Sequence, residues 1–122
     1  MKIGTRMPGF AREIGFDAYC EWLAENGFEA VDTPTLTAPI ARTCKRLGLA
    51  IGTCDANAGG LLSQDKAKSR KALSSLKKDL TAIAKHGGHT YFAILGADDP
   101  SQGRAKTFEI FERVYPKVVE HA

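Results

Sequence analysis

The 122-residue sequence predicts an α/β fold, a parallel (βα)4 unit equal to half of a TIM (β/α)8 barrel, as a single unit over residues 1–122. Short apolar strand-like runs alternate with helical patterns along the whole chain. The first three helical patterns each end in glycine, at Gly27, Gly48 and Gly87, shortly before the next strand run. Four such units at about thirty residues each match a barrel of roughly 250 residues divided in two, whereas a doubly wound domain normally wants a fifth strand.

The elements follow in order. "MKIGTR" reads as the first strand, and "FDAYCEWLAENG" as a helix with Ala18, Tyr19, Trp22 and Leu23 on one face. "FEAVDT" is the second strand. The helix "TAPIARTCKRLG" carries Ile40, Cys44 and Leu47 at helical spacing, with Thr37 as its N-cap and Pro39 in its first turn. "LAIGTC" is the third strand, and the long connection "DANAGGLLSQ" leads to a helix whose apolar stripe is Leu73, Leu76, Leu80, Ile83 and Ala84. "HTYFAIL" is the fourth strand. The closing helix places Phe108, Phe111, Tyr115, Val118 and Val119 at similar spacing. It is expected to be the fourth outer helix of an eight-unit barrel, with a fifth strand to follow.

Composition narrows the function classes. Apolar residues make up 43% and charged residues 25%, as in ordinary globular proteins. Seventeen Lys and Arg against fourteen Asp and Glu leave +3, with the signs interspersed, so a nucleic-acid partner is not expected. No apolar run is long enough to span a membrane and no signal-peptide core is present, so no membrane partner is expected. Cys20, Cys44 and Cys54 lack C-x-x-C spacing and read as reduced, buried thiols, from which a cytoplasmic location is expected.

In this architecture chemistry sits at the carboxyl ends of the strands and in the loops beyond them. Arg6 follows the first strand, and its planar fork could take a phosphate or carboxylate; a solvated surface arginine is the alternative. Asp32 interrupts an apolar run at the rim, where it could accept sugar hydroxyls or simply cap the turn before Pro34. Asp55 and Asn57 open the long connection, which reads either as a lid over a site or as a plain connector. Arg6, Asp32, Asp55 and Asn57 are therefore the candidate substrate-binding residues. Asp98 and Asp99 precede Pro100 and read as a helix cap. In "HGGH", the glycines separate His86 and His89, and both lie at the opposite strand end, so structural roles are expected there. No catalytic group and no metal ligand is assigned, and there is no G-x-S-x-G, Walker or zinc motif.

The chain resembles the N-terminal half of the xylose-isomerase-like sugar phosphate isomerase/epimerase family. "ENGFEAVDT", "CKRLGLAIG" and "SRKALSSLKKDLTAIAKHGGHTYFAILG" carry the resemblance, with Arg70, Leu76, Ala84, Gly88 and Gly96 fitting the family's pattern in the last. The resemblance implies a divalent-metal-dependent isomerase or epimerase acting on a small sugar, polyol or keto acid, in which the ion, Mn²⁺ or Mg²⁺, polarises carbonyl oxygens while carboxylates move a proton. It also implies that the metal ligands lie on later strands, outside this chain. Many members have Glu where Asp32 stands, and a histidine frequent after the third strand is replaced by Thr53-Cys54-Asp55. The endonuclease branch's histidines are absent too, so DNA repair is not expected. On this reading the chain contributes substrate-contacting loops, and its partners are a carbohydrate-like small molecule and either the missing C-terminal half or a second copy. The competing reading is a non-catalytic half-barrel module that self-associates or binds a partner.

Overall fold

The computed structural model describes residues 2–122, apart from the side chain of Phe10. Its strands are β1 (Gly4–Arg6), β2 (Ala30–Thr33), β3 (Ala50–Asp55) and β4 (Thr90–Phe92), and its α-helices are α1 (Phe16–Glu25), α2 (Ala38–Arg46), α3 (Lys66–Lys85), α4 (Arg104–Val114) and α5 (Pro116–Val119). The strands form one sheet in the order β1-β2-β3-β4, and every neighbouring pair is parallel. The four predicted βα units are all present. Short 3-10 turns at Gly9–Glu13 and Pro100–Gln102 precede α1 and α4.

The glycine stops act through one repeated geometry. Gly27, Gly48 and Gly87 have φ of 79°, 70° and 87°. The following amide then reaches back to the carbonyl five residues earlier: Phe28 to Leu23 at 3.0 Å, Leu49 to Cys44 at 2.9 Å and Gly88 to Ile83 at 2.9 Å. This is the Schellman arrangement, which satisfies otherwise orphaned helix carbonyls and turns the chain directly into the next strand. A side chain at Gly88 would meet Ile83 and Leu36 at 2.7 and 2.9 Å, so the third of these turns lies tight against its neighbours.

Contacts divide the chain into two compact units, residues 1–55 with 82–92, and residues 56–81 with 93–122. The first holds the whole sheet with α1 and α2. Val31 is fully buried among Tyr19, Cys20, Leu23, Cys44 and Leu49, and Ile51 packs against the same cluster. Each such side chain removed from water contributes about 1.5–3 kcal/mol. Thr33 and Cys54, in the same alternation, are buried as well. Between the pairs Val31–Ile51 and Thr33–Cys54 the register shifts, because β3 carries one extra residue. That bulge keeps Ile51 and Cys54, three apart, on one face.

The second unit buries Leu61, Leu62, Leu76, Leu80, Ile110, Val114 and Val118. The connection 56–65 is anchored rather than free, although its length and glycines had left a lid open as a reading. Leu61 and Leu62 are buried, and their carbonyls accept from Ser69 Oγ at 2.7 Å and Gln102 Nε2 at 2.9 Å. Asp65 caps α3 through the amides of Ala67 and Lys68 at 2.8 and 3.3 Å. The closing helix departs from expectation in two ways. Pro116, which cannot donate to the preceding turn, separates α4 from α5. The buried face is Ile110, Val114 and Val118, while Phe108 and Val119 are exposed.

Candidate functional site

The carboxyl ends of all four strands contribute to one face of the sheet. Parallel register sets Arg6 beside Asp32 and Asp55 beside Phe92. Side chains alternate across a strand, so these four point away from the Val31–Cys54 face.

Arg6, the last residue of β1, is the hub. Its Nη2 forms an ion pair with Asp55 Oδ1 at the end of β3. Its guanidinium carbon lies 5.0 Å from the ring centroid of Phe92 on β4, within cation–π range. The Arg6 carbonyl accepts the Tyr19 hydroxyl at 3.1 Å, which ties the strand end to α1. The Arg6 and Asp55 side chains remain 50% and 33% exposed and Phe92 43% exposed. An ion pair that open contributes at most about 1 kcal/mol to folding. The cluster therefore does little for stability and leaves its remaining donors, acceptors and ring face to solvent.

Asp32 is placed differently. Its Oδ1 accepts the Thr53 amide at 2.7 Å, at the bulge of β3. Gly52 makes room for it, because a Cβ there would collide with that same oxygen. Asp32 thus satisfies an amide that the bulge withdraws from the strand ladder.

Asn57 belongs to the second unit and is turned to its own loop. Its Oδ1 accepts the Gly59 amide at 2.9 Å in an Asx turn, and its own amide donates to Asp79 Oδ2 at 3.3 Å. Of the four predicted residues the structure joins Arg6 to Asp55 directly and sets Asp32 in register with Arg6. Asn57 is occupied by turn geometry.

Sequence reasoning missed Phe92 and Gly52. Phe92 sits in a run apolar on both faces, so nothing marked its ring as a platform. Gly52 did carry a signal, since glycine inside a strand marks a bulge or a close approach.

Asp98 and Asp99 are taken up in local structure. Asp99 Oδ1 accepts the Ser101 amide at 2.8 Å ahead of Pro100, the expected cap, though it caps the 3-10 turn while α4 starts at Arg104. That hydrogen bond from Ser101 holds the Asp99 carboxyl below its usual range. Asp98 accepts from Lys68 Nζ at 2.7 Å and Ser63 Oγ at 3.1 Å, and the Lys68 bond, with the Ser63 bond after it, depresses its carboxyl likewise. His89 is exposed and His86 half-buried, at the amino-terminal side of β4.

The donor set does not fit a resident metal. Among the described residues no three His, Cys, Asp or Glu side chains converge on one point. Of the carboxylates on the sheet face, Asp55 is engaged by Arg6 and Asp32 by the Thr53 amide.

A comparison with solved structures matches the fold to a protein provisionally described as a xylose isomerase from Rhodospirillum rubrum, with a TM-score of 0.77 and 17% identity. The match covers 99% of this chain and 49% of that one. The fold is that of half a xylose-isomerase-like barrel. At that identity the likeness concerns the fold, and this chain spans about half the length of the protein it matches. No family model matches the chain, and no curated protein matches it. No helix among the described residues is long and apolar enough to cross a membrane.

Proposed function

We propose that this chain is the N-terminal portion of a metal-dependent isomerase or epimerase acting on a small sugar, polyol or keto acid, and that it contributes the substrate-contacting wall. The observation that carries the reading is the Arg6–Asp55–Phe92 cluster at the carboxyl ends of β1, β3 and β4. Guanidinium N–H groups donate to carbonyl and hydroxyl oxygens, the Asp55 carboxylate accepts from hydroxyls, and the Phe92 ring offers an apolar plane. A carbohydrate presents those three features on one molecule. Asp32 holds the bulge beneath and stands in register beside Arg6; Asn57 contributes by shaping its turn.

The Mn²⁺ or Mg²⁺ that such a reaction uses would be held by ligands outside these 122 residues. Three buried cysteines in thiol form support a reducing, cytoplasmic setting.

Binding to the isolated chain tests the reading. Titration with a ketose, a polyol and a keto acid, followed by NMR, should shift the Arg6 side-chain and Phe92 ring signals, and Arg6→Ala should abolish the shifts. Uniform absence of shifts with all three probes would remove the substrate role. Robust metal-dependent turnover by the isolated chain would overturn the division of labour between this segment and the rest of a barrel.

A further inference from the structure

Alongside α2, where Lys85 ends α3, the first unit holds a cleft of about 470 Å³ whose charged lining is of one sign. Arg42, Lys45 and Lys85 border it with His86, and no Asp or Glu among the described residues does. Ala41, Leu49 and Ile51 form its apolar part. All seven residues belong to the unit of residues 1–55 and 82–92. Ile51 lies on β3, which has a strand on either side, so the cleft sits within the row of strands and not at an end of it. It opens near the amino-terminal end of β3, away from the Arg6–Asp55 pair at the carboxyl ends.

The positive charge there is not taken up by the chain. Arg42, Lys45 and Lys85 are exposed and enter no ion pair among the described residues. The acids of α1 that face α2 are engaged elsewhere: Glu21 pairs with Arg46 at 3.1 Å. Asp17 accepts the Thr43 hydroxyl at 2.7 Å, in a neighbouring cleft that Arg42 and Lys45 also border. Cations at a helix C-terminus answer its dipole, but each end carries about half a negative charge, so two ends offset about one cation. The carbonyls of those ends are already served, Cys44 by the Leu49 amide and Ile83 by the Gly88 amide, both at 2.9 Å. A surplus of about two positive charges is left.

We propose that this cleft binds a phosphate monoester, with its phosphoryl group among Arg42, Lys45 and Lys85 and its organic body over Ala41, Leu49 and Ile51. A phosphoryl group on an ester carries about −1.5 to −2 at neutral pH, which matches the surplus, whereas one carboxylate supplies half of it. The guanidinium fork of Arg42 suits two phosphoryl oxygens at once, and the two ammonium groups act as point charges beside it. The His86 imidazole adds an N–H donor. Free phosphate would leave the apolar part unused. The volume is that of a small-molecule site.

NMR titration of the chain with phenyl phosphate, and separately with inorganic phosphate and with phenol at the same ionic strength, is the test. The Ala41 and Ile51 methyl signals and the His86 ring signals should move, and phenyl phosphate should bind at least about tenfold more tightly than either fragment. No movement of those signals with phenyl phosphate would overturn the proposal. Inorganic phosphate binding as tightly as the ester would overturn the assignment of the apolar part, and phenol binding as tightly would overturn that of the charged part.

Variants separate the cleft from diffuse attraction. Arg42→Ala and Lys85→Ala alter exposed side chains and should keep the fold, and each should weaken phenyl phosphate binding by about tenfold. Lys71→Ala, exposed on α3 and outside the lining, should change it by less than about twofold. Equal weakening by all three would mean attraction to net charge alone and would overturn the proposal. The cleft shares no residue with the Arg6–Asp55–Phe92 cluster, so it stands whether or not a sugar binds there. In Arg6→Ala the Ala41 and Ile51 shifts should persist, whatever becomes of ketose binding; their loss would move the phosphate to the other end of the strands and refute the site.

Discussion

Gly52 and Asp32 occupy one space: the position where a Cβ of residue 52 would stand is filled by Asp32 Oδ1, which accepts the Thr53 amide at 2.7 Å. Substituting Gly52 by Ala forces that carboxylate aside and strands the amide, so a loss of about 1–3 kcal/mol is expected in urea unfolding. The same substitution in an Asp32→Ala background should cost markedly less, because the two changes remove one interaction. Additive costs would show that the pair is not coupled.

Asp32→Asn keeps an oxygen acceptor for Thr53, whereas Asp32→Ala leaves the amide without one. The alanine variant should lose about 1–3 kcal/mol and the asparagine variant well under 1 kcal/mol. If the two fall equally, the negative charge and not the hydrogen bond holds the bulge.

Arg6→Ala and Asp55→Ala are expected to change stability by less than about 1 kcal/mol, as for other exposed pairs. Ligand-induced NMR shifts should nevertheless disappear in both. A large loss of stability would reassign the pair from the site to the framework.

Asp98 gives the second unit an acid-sensitive tie. The Lys68 and Ser63 hydrogen bonds depress its carboxyl, so its contribution is present above the ordinary carboxylate range and is lost as pH falls through the lowered folded value. Urea midpoints of the native chain and Asp98→Asn should therefore differ at neutral pH and converge in acid. A gap that persists or widens in acid would contradict this sign.

The three cysteines should be silent in the folded chain. Cys20, Cys44 and Cys54 have no exposed surface. Cys20 is pushed well above the ordinary thiol range by its hydrogen bond with Cys44 and by burial, and Cys54 is raised by burial. Alkylation in native buffer should follow the rate of unfolding, with Cys44 the first to react if any precedes it, since the Cys20 bond lowers its value. Prompt native labelling of all three would refute the packing described.

The units and their punctuation were legible because they rest on local chemistry. A glycine at positive φ ends each of the first three helices, and alternation of strand and helix implies a parallel sheet. Strand-end position was enough to single out Arg6, Asp32 and Asp55. What they touch was not legible, because the bulge at Gly52–Thr53 and the approach of Phe92 depend on cross-strand register. The closing helix shows a second limit. Phe108, Phe111 and Tyr115, and equally Ile110, Val114 and Val118, have helical spacing, and only tertiary packing chooses which set is buried. In the connection before α3, the apolar pair Leu61–Leu62 was a sign of anchoring, outweighed by the loop's length and its glycines.

Arg6 meets Asp55 across 49 residues of chain, and Phe92 lies further on still. A growing polypeptide must therefore release its fourth strand before the first strand's arginine can find its ring. Shorter products could form helices, glycine stops and even the Asp32 latch, yet they would lack the platform. The cluster records that β1, β3 and β4 have come together, and its appearance during refolding would time the docking of β4 against the strands laid down before it.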